Sequence, residues 1–411
     1  MPPHRFDAFA VTAPGLSPLC AAELRAIGMR PTSEDAAGVG FSADAAHLIR
    51  ANLWLRTASR VIVRIAQFKA TSFKDLQLTA ANIAWAQVIQ PGQPVALRVT
   101  CKKSKLIHSG AVAQRVGDAI TKVTGSAIVR ATGVEDADDG DDDAAAPAAP
   151  PQLIVVRFDR DICTISADSS GELLHRRGYR QQLAKAPIRE TLAAGLLLSA
   201  GYTGAEPLID PMCGSGTIAI EAALIARNIA PGLQRKFMCT TWSNVGATAD
   251  AAERQRARGM VRAAAAPIIG TDRDAGAITA SRANAERAGV ATDITFAVRA
   301  LSALEAPPTQ TGASTADSTG ESADAGTSIT AGLLATNPPY GARVGATRDL
   351  RDLYARLGDV ARTLLPGWRV ALVSADRQLE HATALAFDEK ARTSNGGIPV
   401  RFIVAPVPTA G

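Results

Sequence analysis

Short apolar runs alternate along the whole chain with longer stretches in which apolar residues recur at helical spacing. Over residues 1–68 this alternation predicts a split β-α-β unit of the ferredoxin type, and Gly28 marks the end of its first helix. The predicted strands are residues 8–12, 38–41 and 60–66, and the predicted helices are residues 18–27 and 43–55.

A second α/β segment is predicted over residues 69–170. Within it, residues 133–152 are rich in acidic residues, alanine and proline. Such a composition buries too little apolar surface to fold, so we expect a disordered insertion there. The predicted strands are residues 94–100, 153–157 and 162–166, and the predicted helices are residues 72–84 and 108–124.

The C-terminal part of the chain has the pattern of a parallel sheet. Residues 171–206 are predicted to form a linker and an entry helix, which begins on Pro187, and residues 207–411 a second domain. Strands that alternate with helices indicate a doubly wound α/β fold with its ligand loops at the carboxyl ends of the strands. The predicted strands are residues 208–210, 268–272, 294–298, 333–336 and 367–374, followed by a closing hairpin of residues 385–390 and 399–404. The predicted helices are residues 217–227, 274–288 and 350–365. Two insertions are predicted in this domain, a mostly helical one at residues 228–265 and a flexible one at residues 306–331.

The first candidate site is the segment Leu208-Ile-Asp-Pro-Met-Cys-Gly-Ser-Gly-Thr217, a buried strand followed by a tight turn and a helix. Pro211 ends the strand, and Gly214 and Gly216 lack a Cβ, so that backbone can approach a ligand closely. The helix from Thr217 directs its free N–H groups at the same point. The pattern predicts a nucleotide-binding turn.

The identity of the nucleotide depends on Asp210. Residues Gly214 to Ala219 also fit the loose glycine pattern of dinucleotide folds, but the next acid at a strand end is Asp272, much further along than about 20 residues. A carboxylate before the turn repels a pyrophosphate and suits the ammonium group of a methionine moiety. S-adenosylmethionine (SAM) is therefore the expected ligand, and Asp272 is placed to accept from its ribose hydroxyls. The alternative role for an acid after this strand, a helix N-cap, better suits Asp274.

The second candidate site is Asn337-Pro-Pro-Tyr340, which follows the fourth predicted strand. Pro338 and Pro339 restrict the loop, Asn337 offers an amide oxygen, and Tyr340 offers a flat face for a base. An aromatic amine has a delocalised lone pair, so its two N–H groups need acceptors and its ring needs a fixed orientation. The segment is similar to the catalytic loop of methyltransferases that act on exocyclic amines of bases.

Charge and composition favour a cytoplasmic protein with a polyanionic partner. The net charge is +5, although seven acidic residues lie within 135–143, so the rest of the chain is considerably more basic. No run of about 18 uncharged apolar residues and no signal peptide are recognised, so membrane insertion and export are not expected. The five cysteines are far apart, which favours reduced thiols and no metal site.

Two basic segments are candidate RNA contacts. Lys102, Lys103 and Lys105 follow a predicted strand, where they could meet phosphates or form a solvated loop. The segment His175-Arg-Arg-Gly-Tyr-Arg180 carries Arg176, Arg177 and Arg180, and could grip RNA, close over the cofactor or serve only as a connector.

Four segments together resemble the THUMP-domain RNA guanine-N2 methyltransferases, in particular the RlmL-type enzymes for large-subunit ribosomal RNA. The resemblance covers nearly the whole chain outside the two insertions. It implies RNA binding by a ferredoxin-like domain (residues 1–68) and a THUMP domain (residues 69–170), and N2-methylguanosine formation by a class I methyltransferase domain. The segments are His175-Arg-Arg-Gly-Tyr-Arg180, residues 186–194, residues 210–217 and Asn337-Pro-Pro-Tyr-Gly-Ala-Arg343.

The resemblance also assigns residues to roles. Carried over residue by residue, it implies that Asp210, Gly214 and Gly216 line the cofactor, that Asp272 holds its ribose, and that Asn337, Pro338 and Tyr340 present the guanine amine. Together with the patterns above, this gives the full set of predicted site residues, with SAM as the cofactor and no metal. The predicted catalytic residues are Asn337, Pro338, Pro339 and Tyr340; the predicted cofactor-binding residues are Asp210, Pro211, Cys213, Gly214, Gly216, Thr217, Asp272 and Asn337; and the predicted RNA-binding residues are Lys102, Lys103, Lys105, Arg176, Arg177, Arg180 and Arg343.

Two departures from the family pattern and three alternatives stay open. Ala300 stands where relatives carry an acid for the adenine amine, which predicts weaker cofactor binding or a substitute such as Ser302. Some relatives carry a second methyltransferase domain, which this sequence does not show, so one modification is expected. The alternatives are a transfer-RNA guanine-N2 enzyme, an adenine-N6 enzyme, and an RNA-binding or ribosome-assembly factor whose catalytic site has decayed. The partner is expected to be ribosomal RNA or its assembly precursor; the pattern does not indicate an oligomeric state.

Overall fold

The structure is a computed structural model that describes residues 5–129, 150–181, 188–305, 331–340 and 347–409. Apart from residues 150–152 and residue 331, the predicted insertions at 133–152 and 306–331 lie outside these ranges. The chain divides into two compact units: Met1–Gly178 with Ile229–Val261, and Tyr179–Asn228 with Arg262–Gly411.

The first unit is built on a mixed eight-stranded sheet with the strand order β2-β3-β1-β4-β8-β7-β5-β6. Its first six elements form a β-α-β-β-α-β unit in which β1 pairs antiparallel with both β3 and β4, which confirms the predicted ferredoxin-like arrangement. The elements are β1 (Phe6–Thr12), α1 (Ser17–Ala26), β2 (Pro31–Asp35), β3 (Gly38–Ala43), α2 (Ala45–Trp54), β4 (Ala58–Lys69), α3 (Phe73–Ala81), β5 (Val95–Lys102), α4 (Ser109–Thr124), β6 (Ile128–Val129), β7 (Gln152–Asp159) and β8 (Ile162–Asp168).

The strand β2 was not predicted, because its sequence Pro-Thr-Ser-Glu-Asp is polar and it forms an exposed edge of the sheet. Its partner β3 begins at Gly38, where the backbone φ is +150° and a Cβ would lie 2.0 Å from the carbonyl oxygen of Ala10. A side chain at this position would therefore separate β3 from β1. Strand β2 joins the sheet only through β3, and the close approach of β3 to β1 requires Gly38. The sequence of β2 itself therefore contains no apolar pattern from which the strand could be predicted.

The second unit contains a seven-stranded sheet with the order β11-β10-β9-β12-β13-β15-β14. Strands β9 to β13 pair in parallel, and β14 and β15 are antiparallel, so the predicted doubly wound α/β architecture is confirmed. In chain order the remaining elements are α5 (Glu190–Ser199), β9 (Leu208–Asp210), α6 (Thr217–Ala226), α7 (Ala247–Gly259), β10 (Ile268–Asp272), α8 (Ala275–Ala288), β11 (Ile294–Val298), β12 (Leu333–Thr336), α9 (Thr347–Leu364), β13 (Arg369–Ser374), α10 (Arg377–Ala382), β14 (Asp388–Asn395) and β15 (Ile398–Pro406).

Helix α7 and the rest of 229–261 belong to the first unit, although the sequence reading placed them within the methyltransferase domain. Glu253 of α7 accepts two hydrogen bonds from the Arg50 guanidinium of α2, at 2.7 and 2.8 Å. The Gly232 amide donates to the Leu53 carbonyl at 2.9 Å. A bidentate ion pair and a backbone bond therefore fasten this segment to helix α2, more than 170 residues earlier in the chain.

The closing hairpin lies later in the chain than its apolar residues indicated. Strand β14 covers Asp388–Asn395, whereas residues 385–390 were predicted. Leu385 and Phe387 lie before the strand and pack against the core of the second unit. Because β14 itself is mostly polar and exposed, its apolar flank was mistaken for the strand.

A buried ion pair in the first unit gives a test of the fold. The carboxylate of Asp168 and the guanidinium of Arg60 are hydrogen-bonded, and the two side chains are 0% and 5% exposed. The substitution Asp168→Ala leaves a buried arginine uncompensated, so we expect it to lower the free energy of unfolding by about 3–5 kcal/mol, measured by urea denaturation.

The matched control for this prediction is the exposed pair of Asp7 and Arg64, which also joins two strands of the same sheet at 2.7 Å. Asp7→Ala removes a solvated pair, for which the expected loss is only about 0–1 kcal/mol. Equal losses in the two variants would contradict the assignment of Asp168 as a buried anchor.

Candidate active site

The turn after β9 has the backbone geometry that the glycine pattern predicted. Gly214 and Gly216 have φ values of +52° and +84°, in the left-handed region that residues with a Cβ seldom adopt. A Cβ on Gly216 would lie 3.0 Å from Ser281 and 3.1 Å from Phe296. The turn is therefore packed closely against α8 and β11, and glycine is required for both conformation and space.

Helix α8 holds the turn through two side chains. The Ser281 hydroxyl donates to the Gly214 carbonyl at 2.7 Å, and the Asn284 amide donates to the Ser215 carbonyl at 3.0 Å. Both side chains are buried. Because these hydrogen bonds tie two carbonyl groups of the turn to α8, the conformation of the turn is fixed before any ligand binds. Ser281 and Asn284 are therefore supporting residues, and the sequence pattern did not reveal them.

Asp272 has a structural role beside its predicted role at the ribose. One of its carboxylate oxygens accepts from the Gly214 amide at 3.0 Å, and the other accepts from the Asp274 amide at 3.0 Å. Each oxygen keeps a lone pair for a further donor. Asp274 accepts from the amides of Gly276 and Ala277 and is the N-cap of α8, as predicted. Asp272 therefore couples the end of β10 to the glycine turn.

Asp210 ends β9 as a buried carboxyl group, 1% exposed. Burial raises its pKa to about 7, and the nearby Thr336 hydroxyl and the Met212 amide offset only part of this effect. The Met212 amide donates to it at 3.3 Å. Among the described residues no lysine, arginine or histidine forms an ion pair with this carboxyl group, so its charge state near neutral pH is sensitive to a cation that approaches it.

The other predicted residues of this turn are buried around it. Pro211, Cys213 and Thr217 are all buried, and the Cys213 amide donates to the Thr271 carbonyl at 2.9 Å. Burial raises the pKa of the Cys213 thiol well above its ordinary value, which favours the neutral thiol. The thiol therefore acts in packing, with its sulphur 3.8 Å from the Ser281 hydroxyl.

The loop after β12 starts beside the glycine turn. Strand β12 pairs in parallel with β9, with Leu333 and Leu334 opposite Leu208 and Ile209. Parallel strands end at the same edge of the sheet, so Asn337 and Asp210 emerge at neighbouring positions. The Asn337 side-chain oxygen is buried and has no hydrogen-bond partner among the described residues. Pro338 is buried and Pro339 half-buried.

Tyr340 is half-buried and is held by a residue that the sequence analysis missed. The Asn395 amide at the end of β14 donates to the Tyr340 hydroxyl at 2.8 Å. Burial raises the pKa of Tyr340, and this hydrogen bond offsets only part of the rise, so the ring stays a neutral phenol. No local signal could have revealed this contact, because 55 residues separate the two positions.

Ala300, where the family pattern has an acid, is exposed just after β11. The neighbouring Arg299 amide donates to the Asp272 carbonyl at 2.8 Å, which fixes this segment beside the predicted ribose site. The Arg299 side chain pairs with Glu305 at 3.1 Å. Ser302, the proposed substitute, is also exposed, and Val298 is 56% exposed. The end of β11 thus presents the apolar side chains of Val298 and Ala300 where the family pattern has a carboxylate.

The predicted RNA-binding residues differ in exposure. Lys102 at the end of β5 is exposed, as are Lys103 and Lys105 in the loop that follows it. In this loop the Lys105 amide donates to the Asp161 carboxylate at 2.7 Å. Arg176 is also exposed. These four side chains are free to meet a polyanion, and their role remains a prediction.

The other three predicted RNA contacts are placed differently. The Arg177 guanidinium is buried and donates to the carbonyls of Leu174 and Arg56 at 2.6 and 2.7 Å. Arg180 donates to the Ile188 carbonyl at 3.0 Å and lies 3.4 Å from the Glu190 carboxylate. Both groups are bound within the protein here. Arg343 lies outside the described residues.

Within the described ranges, no set of three or more histidine, cysteine, aspartate or glutamate side chains is arranged to bind a metal ion. None of the helices in these ranges is both long enough and apolar enough to span a bilayer.

Comparison with protein families gives two matches. Residues 177–402 match the family described as RMKL-like, methyltransferase domain, and residues 7–62 match the RlmL ferredoxin-like domain. The first match includes the glycine turn, Asp272 and the Asn337–Tyr340 loop. The second covers the β-α-β-β-α-β unit of the first sheet almost completely.

Several relatives match nearly the whole chain. A ribosomal RNA large subunit methyltransferase K/L from Syntrophotalea carbinolica is 36% identical over 96% of this chain, which spans 53% of the relative. A putative RNA methyltransferase from Synechocystis sp. is 32% identical over 96% of this chain and 95% of the relative. The chain therefore spans about half the length of the first relative and almost all of the second.

The solved structure of a putative methyltransferase in complex with S-adenosylhomocysteine is also similar. It superimposes with a TM-score of 0.80 and 25% sequence identity, over 99% of each chain. That protein, which has the same fold, binds S-adenosylhomocysteine, the product that SAM becomes when it gives up its methyl group.

The raised pKa of Asp210 predicts how SAM binding depends on pH. The ionised carboxylate attracts a cationic ligand, and its population rises from about a tenth at pH 6 to about three-quarters at pH 7.5 for a pKa of about 7. Calorimetric titration should therefore show SAM binding up to about eightfold tighter at pH 7.5 than at pH 6. Asp210→Asn should bind more weakly and with little pH dependence.

Stability of the ligand-free protein supplies the control. For a carboxyl group whose folded pKa is raised from 3.8 to about 7, the folded state binds more protons than the unfolded state between these two pKa values, so stability falls as the pH rises from about 4 to about 7 and is constant above. Relative to the unsubstituted protein, the Asp210→Asn variant should therefore gain thermal stability from pH 5 to about 7 and show a constant difference at higher pH. Identical pH profiles of the two proteins would show that Asp210 does not titrate in this range.

Proposed function

The chain belongs to the RMKL-like methyltransferase family, and we propose that it transfers a methyl group from SAM to the exocyclic N2 of a guanosine in large-subunit ribosomal RNA. The observation that carries this proposal is the Asn337 side-chain oxygen, which is buried at the sheet edge that also holds Asp210 and has no hydrogen-bond partner within the described ranges. A buried acceptor without a donor costs free energy in the absence of a ligand. The amine of a base is a donor of the right kind.

The residues at the carboxyl ends of β9 and β10 fit SAM. Gly214 and Gly216 form a turn of positive φ that carries no Cβ at these two positions, and the N-terminus of α6 follows it. Asp210 would meet the cationic methionine part, and Asp272 keeps free lone pairs for the ribose hydroxyls. SAM supplies a methyl group already activated by the positive sulphur.

The contribution of the Asn337–Tyr340 loop is orientation of the target amine. The Asn337 oxygen and the Pro338 carbonyl would accept the two N–H bonds, which directs the nitrogen lone pair towards the methyl group. The face of Tyr340 would support the ring. As the amine takes the methyl group it becomes cationic, so acceptors on its hydrogens would stabilise the developing charge. One of these hydrogens then leaves as a proton to water, which gives the neutral methylated amine.

Large-subunit ribosomal RNA is proposed as the substrate on three grounds. The first relative is described as a methyltransferase for that RNA, and the second as a putative RNA methyltransferase. The exposed lysines at 102, 103 and 105 offer charge to phosphates. The target guanosine has to be unpaired or flipped out to reach a loop at the sheet edge.

A labelling experiment tests the proposal. The purified protein is incubated with methyl-labelled SAM and unmodified large-subunit ribosomal RNA, with transfer RNA in parallel, and the labelled nucleoside is identified by mass spectrometry. We expect N2-methylguanosine in ribosomal RNA alone. Label in transfer RNA would show that transfer RNA is the substrate, and label in N6-methyladenosine would show that adenine is the target base. No label in either RNA, with SAM binding intact, would favour an RNA-binding factor.

The role of Asn337 has its own test. Asn337→Ala removes the acceptor for the amine, so the transfer rate should fall by at least about 100-fold, while the affinity for S-adenosylhomocysteine changes by less than about threefold. Ser394→Ala, an exposed substitution on β14, serves as the control. Full activity of the Asn337→Ala variant would exclude the assignment.

A further inference from the structure

The contact between Asn395 and Tyr340 joins two distant parts of the second unit at the proposed site for the base. The Asn395 side-chain amide donates to the Tyr340 hydroxyl at 2.8 Å. Asn395 is 9% exposed and Tyr340 is half-buried. The bond is therefore largely shielded from water, where a hydrogen bond holds its geometry better than at the surface.

The position of Asn395 is set by a tight hairpin turn. Asn395 and Ile398 are opposite each other at the ends of β14 and β15. The two residues between them, Gly396 and Gly397, have φ values of +57° and +76°, as a type I′ turn requires. Such a turn fixes the pairing register, and a shift of one residue would direct Asn395 to the opposite face of the sheet.

The alternation of exposure along β14 agrees with this placement. Thr393 and Asn395 are buried, whereas Arg392 and Ser394 are exposed. Asn395 is thus the last inward-facing residue of the strand, and it reaches the loop that follows β12. Because polar side chains are seldom buried without a specific bond, a buried amide at this position indicates that its hydrogen-bond partner matters.

The bond restricts the aromatic ring of Tyr340. A tyrosine side chain rotates about two bonds near the backbone, and its hydroxyl lies at the far end of the ring. The hydroxyl oxygen lies on the axis about which the ring turns, so a hydrogen bond at that end, together with the backbone attachment, fixes the direction of this long axis. The place at which a base would stack on the ring is then defined before the base enters.

We propose that Asn395 is a positioning residue for methyl transfer, which holds Tyr340 so that its ring supports the target base. This inference rests on the proposed function of the Asn337–Tyr340 loop. It assigns to the β14–β15 hairpin a part in the active site, through Tyr340 and without contact to the substrate.

Single-turnover methylation of large-subunit ribosomal RNA by SAM tests the proposal. Asn395→Ala and Tyr340→Phe each remove the same hydrogen bond, so each should lower the single-turnover rate by about 10- to 100-fold, with the affinity for S-adenosylhomocysteine within about twofold. The double variant should be no slower than the slower single variant. Rate losses that multiply in the double variant would show that the two residues act separately and would overturn the proposal.

Two further variants separate positioning from general support of the hairpin. Asn395→Asp replaces the amide donor by a carboxylate that accepts from the phenol hydroxyl, so the contact is kept with its direction reversed and most of the rate should be recovered. Ser394→Ala changes the exposed neighbour and should leave the rate unchanged. If Asn395→Asp is as slow as Asn395→Ala, or if Asn395→Ala lowers thermal stability and cofactor affinity in proportion to the rate, Asn395 supports only the fold.

A measurement that needs no substrate keeps this inference distinct from the proposed function. The chain has four tyrosines, so fluorine NMR of protein labelled with 3-fluorotyrosine gives a small spectrum in which Tyr340→Phe identifies one signal. Asn395→Ala should shift or broaden that signal, and Ser394→Ala should not. An unchanged signal would overturn the contact, whereas absence of RNA methylation by the unsubstituted protein would count against the proposed function alone.

Discussion

The parallel pairing of β9 with β10 and β12 is the constraint on which the candidate active site depends. The strands run in register, so their carboxyl ends lie at one edge of the sheet. Asp210 ends β9, Asp272 ends β10, and Asn337 follows β12. More than 120 residues separate the first of these side chains from the last, and only the sheet brings them to neighbouring positions. A change in the order or direction of these strands would separate all three.

The parts of the fold that the sequence predicted are those with local signals. A proline that stops an apolar strand, a glycine turn and a helix start occupy consecutive positions around Asp210, so residue types alone indicate the geometry. The same holds for Asn337, where two prolines follow an apolar strand. In both cases the functional residue lies directly after the strand that positions it, and the positive φ values of Gly214 and Gly216 agree with the expected turn.

The parts that the sequence did not reveal depend on contacts across the chain. Two examples are the hydrogen bond from Asn395 to Tyr340 and the ion pair of Glu253 with Arg50. Each of these side chains is of a common polar type, so its residue type alone does not indicate its partner. The polar strands β2 and β14 were missed or misplaced because their pairing is decided by neighbouring strands. Arg177 was read as an RNA contact from its basic neighbours, yet backbone carbonyls of its own unit occupy its donors.

A comparison of two buried carboxyl groups separates a residue that supports the fold from one placed for a ligand. Burial raises the pKa of both Asp168 and Asp210. Asp168 has a buried arginine beside it, so its charge is compensated within the protein. Among the described residues Asp210 has no such cation. A buried acid without a partner is costly when ionised, and a cationic ligand removes that cost on binding. The same argument applies to the Asn337 oxygen, which finds no donor in the part of the chain that the structure describes and which the amine of a base would satisfy. Both groups lie at one edge of one sheet, where a cationic methyl donor and an amine acceptor would have to meet.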